Sequence, residues 1–247
     1  MWLSLRVTGA TLNAIGILLG GVLGLLRRGK GLPPQTEAFL KLALGVFAIF
    51  FGLQFVWLNI SGSFAHCAKQ FLIVILAVAI GKPAGKLIGL QRASNRLGQR
   101  AGKLIQDAVA SRAGSFKNGI IACTILFCAP PLGIVGALQD GLSGYFHPLA
   151  VKAVMDGLAM MGFVQIFGEG CLLAAVPVFA LQAVITQAGG NYLEPFLRTH
   201  GLLESVNATG GIIICSVGLL ILEIKKIGLA DYLPALAFAP VLTWLWR

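Results

Sequence analysis

Asp140 and Asp156 stand in stretches that are otherwise almost free of charge. Asp140 follows Gln139 in "GIVGALQDGLSG", with Pro130 and Pro131 just upstream and glycines at 133, 136, 141 and 144. Prolines donate no backbone hydrogen bond and disrupt a helix. Glycines permit close approach and unusual backbone angles. Broken backbone at membrane depth survives only where it is buried in protein or lines a cavity, and discontinuous helices aimed at a solute recur in transporters. One reading is therefore a binding site, an amide and a carboxylate at a helix break. The other is an external turn over "QDGLSG", since Asp-Gly and Ser-Gly are ordinary turn dipeptides.

"HPLAVKAVMDGLAMMGF" starts a helix, with Pro148 near its first position. Asp156 then lies about 12 Å deeper along that helix. A charge at such depth is costly and points to function, with a partner to be named. Lys152, one turn away on the same face, is the first candidate. Either the two form a structural ion pair, or Asp156 faces Asp140 across a polar cavity to bind a cation or carry a proton. Two close carboxylates would favour proton exchange. Gln54, Gln165, Gln182 and Glu223 are further polar residues within apolar runs, and Gln182 follows Pro177 at another candidate break. Glu223 beside Lys225 and Lys226 is expected to snorkel to the interface, and Glu169 to sit in a solvated turn.

What must position these groups follows from composition. Hydrophobic residues make up 57% of the 247 positions and charged residues 11%, against about 25% in a soluble domain. The mean hydropathy is +0.87. The outer surface must face lipid. Several apolar runs approach the roughly 20 residues that a bilayer-crossing helix needs, and they do not alternate as barrel strands would. The expected fold is an all-α, polytopic transmembrane bundle forming one membrane domain over 1–247. About eight spans are predicted, at 8–26, 38–59, 70–89, 117–136, 149–167, 170–187, 206–223 and 231–246, with a re-entrant or broken segment near 130–145. The first run has no basic leader beyond Arg6 and reads as a retained span, not a signal peptide.

The net charge of +10 resides mainly in loops. Segments 27–41, 82–117 and 223–230 hold fourteen of the 19 Lys and Arg residues. Eight crossings place all three on one side, which the positive-inside rule makes cytoplasmic. The charge thus implies lipid-headgroup contact, not nucleic acid. Within 88–113, apolar residues recur on one helical face among basic ones, as in an amphipathic helix on the cytoplasmic surface. A weaker amphipathic stretch covers 192–203. Cys67, Cys123, Cys128, Cys171 and Cys215 form no CxxC pair, so neither a zinc site nor a disulfide framework is indicated. No cofactor is expected, and the sequence leaves any metal unassigned.

Residues 12–26, "LNAIGILLGGVLGLL", align without gaps to 206–220, "VNATGGIIICSVGLL". Asn13 matches Asn207 and Gly16 matches Gly210. A duplication separated by six spans would leave both copies pointing the same way. Gly16, Gly20 and Gly24 make a tandem GxxxG face, and Asn207, Gly211, Cys215 and Gly218 a similar stripe. Small residues four apart let helices approach closely, within the chain or in a homo-oligomer. Asn13 and Asn207 serve either such packing or a polar site.

The ordered pieces "TLNAIGILLGGVLGLL", "LFCAPPLGIVGALQDGLSG", "KAVMDGLA", "AAVPVFALQAVIT" and "IKKIGLADYLPAL" resemble the YdfK/YqgA-like family of bacterial inner-membrane proteins, domain of unknown function 554. The likeness spans nearly the whole chain. It implies a multi-pass plasma-membrane protein, and Asn13, Gln139, Asp140, Lys152, Asp156 and Gln182 match the family's pattern. The double proline and Glu223 depart from it. The resemblance supplies no substrate.

The leading expectation is a transporter or channel for a small solute or ion, cation- or proton-coupled through Asp140 and Asp156. Its ligand-binding residues would be Asn13, Gln139, Asp140, Lys152, Asp156, Gln182 and Asn207. The alternative is a structural or regulatory membrane partner, for which small-residue faces and the basic amphipathic helix would suffice. An intramembrane enzyme ranks below both: "LQDG" and "VMDG" match aspartyl-protease chemistry poorly, and neither HExxH nor GxSxG occurs.

Overall fold

The computed structural model describes residues 7–27, 32–111 and 116–246. Arg6, Arg28, Lys30, Arg112 and Arg247, which entered the charge argument, lie outside them. The described residues form helices and no strand: α1 (Thr8–Leu26), α2 (Pro34–Asn59), α3 (Phe64–Ile88), α4 (Leu90–Ser111), α5 (Phe116–Cys128), α6 (Pro131–Ser143), α7 (His147–Phe167), α8 (Ala175–Ala188), α9 (Glu194–Thr199), α10 (Leu203–Ile221) and α11 (Ala235–Leu245). Short 3₁₀ turns precede α8 and α11, and a π turn, Gly189–Leu193, joins α8 to α9.

Among the described residues, six helical stretches are long and apolar enough to cross a bilayer: α1, α2, α3, α7, Glu169–Thr199 and α10. The bent pair α5 and α6 makes a seventh, and Leu229–Leu245 is a shorter apolar piece. About eight passes fit this arrangement. Helix α1 runs parallel to α7, with Gly9 against Leu149, Gly16 against Ala153 and Gly24 against Met161. Helix α2 runs antiparallel to α10, with Gly45 against Gly218 and Gly52 against Gly211. Helix α6 runs antiparallel to α7, placing Gly133 by Lys152 and Gly136 by Leu149. It also runs antiparallel to α10, with Leu132 packed with Val217 and Val135 with Ile213. These directions gather the described parts of 27–41, 82–117 and 223–230 at one end, the basic end.

The glycine stripes act by contact. A methyl group at Gly16 or Gly20 would collide with the backbone carbonyl of Ala153 or Gly157. Without a hydrophobic driving force between helices in lipid, such close approach is what holds them together. The two helices of the proposed repeat run the same way, as an even number of intervening spans requires. Their principal partners differ: α7 for α1 and α2 for α10.

The break expected near 130–145 is present, and it divides the span expected at 117–136 into two helices. Helix α5 ends at Cys128, and α6 starts at Pro131 with its axis turned by 62°. Pro130 is extended (φ −65°, ψ 133°) and Pro131 occupies the first helical turn. Proline there loses no hydrogen bond, because the N–H groups of a first turn have no intrahelical partner. Helix α6 then continues through Ser143. Gly144 closes it in the left-handed conformation (φ 67°), with its N–H bonded to the Asp140 carbonyl. Residues 139–142 of "QDGLSG" are therefore helical and buried, not an external turn; the helix ends at the exposed Ser143 and the turn comes at 144–146.

Helix α4 is amphipathic as expected. Ala101 and Ala108 are buried, and Leu104 and Ile105 pack against the core around α5 and α7. Its N-terminus is tied to the turn before α11: Gln91 N–H donates to Asp231 (3.0 Å), and the Gln91 side chain accepts from Ala230 N–H (3.0 Å). The 192–203 stretch splits into the π turn, α9 and a left-handed Gly201.

Candidate functional site

Four of the seven sequence-predicted residues come together midway along the bundle. Lys152 and Asp156, one turn apart on α7, form an ion pair of 2.5 Å and are 2% and 7% exposed. Asn13 of α1 donates from Nδ2 to Asp156 Oδ2 (3.1 Å) and to Gln182 Oε1 of α8 (3.2 Å). The carboxylate accepts and cannot donate, so it fixes the Asn13 amide, and Asn13 in turn fixes the Gln182 amide. That leaves Gln182 Nε2 and Asn13 Oδ1 buried without a partner among the described residues. The Lys152 ammonium also lies 5.9 Å from the centre of the Phe127 ring.

Gly133, in the first turn of α6, is where Lys152 and Gln182 converge. A Cβ there would lie 3.1 Å from Lys152 Cε and 3.5 Å from Gln182 Nε2. The proline break thus delivers a helix N-terminus, with its partial positive charge, to the middle of the bundle beside two side-chain donors.

A cavity of about 810 Å³ leads to the pair from the basic end. Its mouth carries Glu37, Lys41 and Glu223, its inner end Pro130, Pro131, Lys152 and Asp156, and its walls are mainly apolar. Glu223 has the left-handed φ of 57°, exposes its carboxylate and pairs with Lys41 of α2. Lys41 holds the exposed Glu223 carboxyl below its ordinary range.

The other three residues lie elsewhere. Asp140 accepts the Gly9 N–H through Oδ2 (2.8 Å) and so caps the start of α1, where a negative charge is favoured. It does not line the cavity, so the two aspartates do not face each other across it. Gln139 is fully buried against Gly210 of α10, and neither of its amide atoms finds a partner among the described residues. Asn207 donates to Asn59 Oδ1 and Ser143 Oγ (both 2.8 Å), clasping the far ends of α2, α6 and α10. Among the described residues no group of three or more His, Cys, Asp or Glu could hold a metal ion.

Residues 8–244 match the family model described as protein of unknown function DUF554. The chain belongs to the DUF554 family. It is 27% identical over 237 residues to the uncharacterized membrane protein YdfK of Bacillus subtilis (strain 168), covering 96% of each chain. It is 28% identical over 241 residues to the uncharacterized protein YqgA of Escherichia coli (strain K12), covering 97% of each. No solved structure matches it.

Sequence reasoning passed over Gly133, Phe127 and the cavity walls. Gly133 was one glycine among many, and only the fold reveals that Lys152 and Gln182 close on it. Asn59 and Ser143, the partners of Asn207, carry no local signal at all.

Proposed function

We propose that this chain is a small-solute transporter of the bacterial plasma membrane, with Lys152 and Asp156 at its substrate site. The observation that carries this reading is the cavity that joins the basic end of the bundle to a buried ion pair at a broken helix. A purely structural role would be served as well by apolar side chains, because each buried charge costs several kcal/mol to desolvate, on the order of the attraction it gains. A pair open to an aqueous vestibule exchanges partners more readily. A half-helix starting at mid-bundle is a recurrent way to present backbone charge to a solute.

Coupling runs through Asp156, which alternates between Lys152 and a proton or cation as solute enters. The groups facing it are Lys152 on α7, Asn13 on α1, Gln182 on α8 and Cys128 at the end of α5. Glu37, Lys41 and Glu223 stand further out at the cavity mouth. Asp140, the other carboxylate of α6, is occupied at the start of α1 and contributes to architecture.

The test is reconstitution into liposomes, with proton and monovalent-cation flux recorded under imposed gradients beside an Asp156→Asn variant that elutes identically in detergent. Flux that disappears in the variant is expected. Silence in both across a broad panel of ions, potentials and organic solutes would overturn the transport reading and favour a structural or regulatory partner.

A further inference from the structure

Resting on the substrate site proposed above, we infer that the solute is an organic monocarboxylate, held head-first by Lys152, Gln182 and the first turn of α6. On the Gly133 side of the cluster the groups are donors, Lys152 and Gln182, while the unpartnered acceptor, Asn13 Oδ1, belongs to α1. Lys152 brings an ammonium with three N–H bonds, of which Asp156 takes one. Gln182 Nε2 is unpartnered, 2% exposed, and directed at Gly133. The α6 N-terminus adds a partial positive charge; Pro131 has no N–H and the Gly133 N–H donates to the Pro130 carbonyl (3.1 Å), so the backbone donor of this turn that borders the cavity is Leu132. Gln182 and Gly133 do not line the cavity but adjoin Lys152, which does; a buried amide donor without an acceptor is costly, and a carboxylate drawn in by Lys152 would come within reach of it.

The rest of the cavity specifies the body of the molecule. About 810 Å³ is far more than an inorganic anion needs and falls in the range of sites for small organic ligands. Between the pair and the mouth, the walls include Met155, Leu158, Val217 and Ile221. An apolar chain or ring fits there. One proton on Asp156 would balance the incoming negative charge, so that solute and proton enter together without adding charge to the interior.

The test is equilibrium binding of radiolabelled benzoate to the full chain in phosphatidylcholine nanodiscs, with benzamide, benzylammonium and phosphatidylglycerol as competitors. Benzoate should bind at least about tenfold more tightly than benzamide, a difference of about 1.4 kcal/mol. Gly133→Ala should erase most of that preference. Its added methyl meets only the flexible ends of Lys152 and Gln182, at 3.1 Å or more, so the fold should survive. Gln182→Leu should lower the benzoate-to-benzamide ratio, which a role in packing alone would leave unchanged. Preference for benzylammonium, an equal affinity for the amide, or displacement only by phosphatidylglycerol would each overturn the assignment. Binding is read without flux. Selective benzoate binding with no transport would therefore sink the transport reading alone, and transport without that selectivity would sink the carboxylate alone.

Discussion

Helices α1 and α10 carry matching stretches of sequence, run in the same direction and use glycines to press against a partner, yet they build different things. Between α1 and α7 the close approach surrounds a buried ion pair, two amides and the inner end of a cavity. Between α10 and α2 it makes a seam of glycines against backbone, and the asparagine matching Asn13 serves in a clasp at the far end. Glycine spacing therefore sets how near two helices come, while chemistry depends on what the partner supplies. Helix α7 brings Lys152 and Asp156, and the break before α6 brings a helix end to meet them. Helix α2 brings Gly45 and Gly52.

Removing one charge should separate the two seams most widely. Lys152→Met leaves Asp156 buried without its ammonium and should cost about 3–5 kcal/mol, read as a lowered thermal midpoint in detergent. Gly20→Val on one seam and Gly52→Val on the other should each cost about 1–3 kcal/mol, the usual penalty of overpacking. A large loss on only one side would show that the seams do not bear the bundle equally. Asn13→Leu and Asn207→Leu should both cost about 1–3 kcal/mol for stranded polar partners, but only the Asn13 change should reduce flux. Equal flux defects would place Asn207 in the pathway and undo the contrast.

The smallest effect lies at the cavity mouth. The Glu223 carboxyl is held below its ordinary 4.5 by Lys41. A depressed acidic group contributes stability above its unfolded value, and that contribution is lost as pH falls through the folded one. Wild type and Glu223→Gln should thus differ slightly in thermal midpoint at neutral pH and converge under acid. Because the pair is exposed, added salt should shrink the difference.

Local signals in the sequence anticipated local features. The Lys152–Asp156 pair follows from a spacing of four on one helix, the α5–α6 break from two prolines, and the close seams from glycine stripes. Long-range partners were not legible. Asp140 caps a helix through Gly9, 131 residues earlier, and nothing beside it in the chain says so. "QDGLSG" carries turn dipeptides, but tertiary packing overrides them and the helix ends only at Gly144. Glu223 has two lysines close by in sequence, and the antiparallel packing of α2 on α10 adds Lys41, its ion-pair partner.

The most direct test of a working pair against a structural bolt is to exchange its charges. The double variant Lys152→Asp with Asp156→Lys keeps an ion pair four residues apart on α7 but moves the ammonium one turn along the helix, away from its place beside Gly133. Reconstituted beside wild type, it should stay folded, with a melting temperature above that of Lys152→Met, and lose solute flux. Undiminished flux from the exchanged pair would contradict the account, because the position of each charge would then be irrelevant to what the protein does.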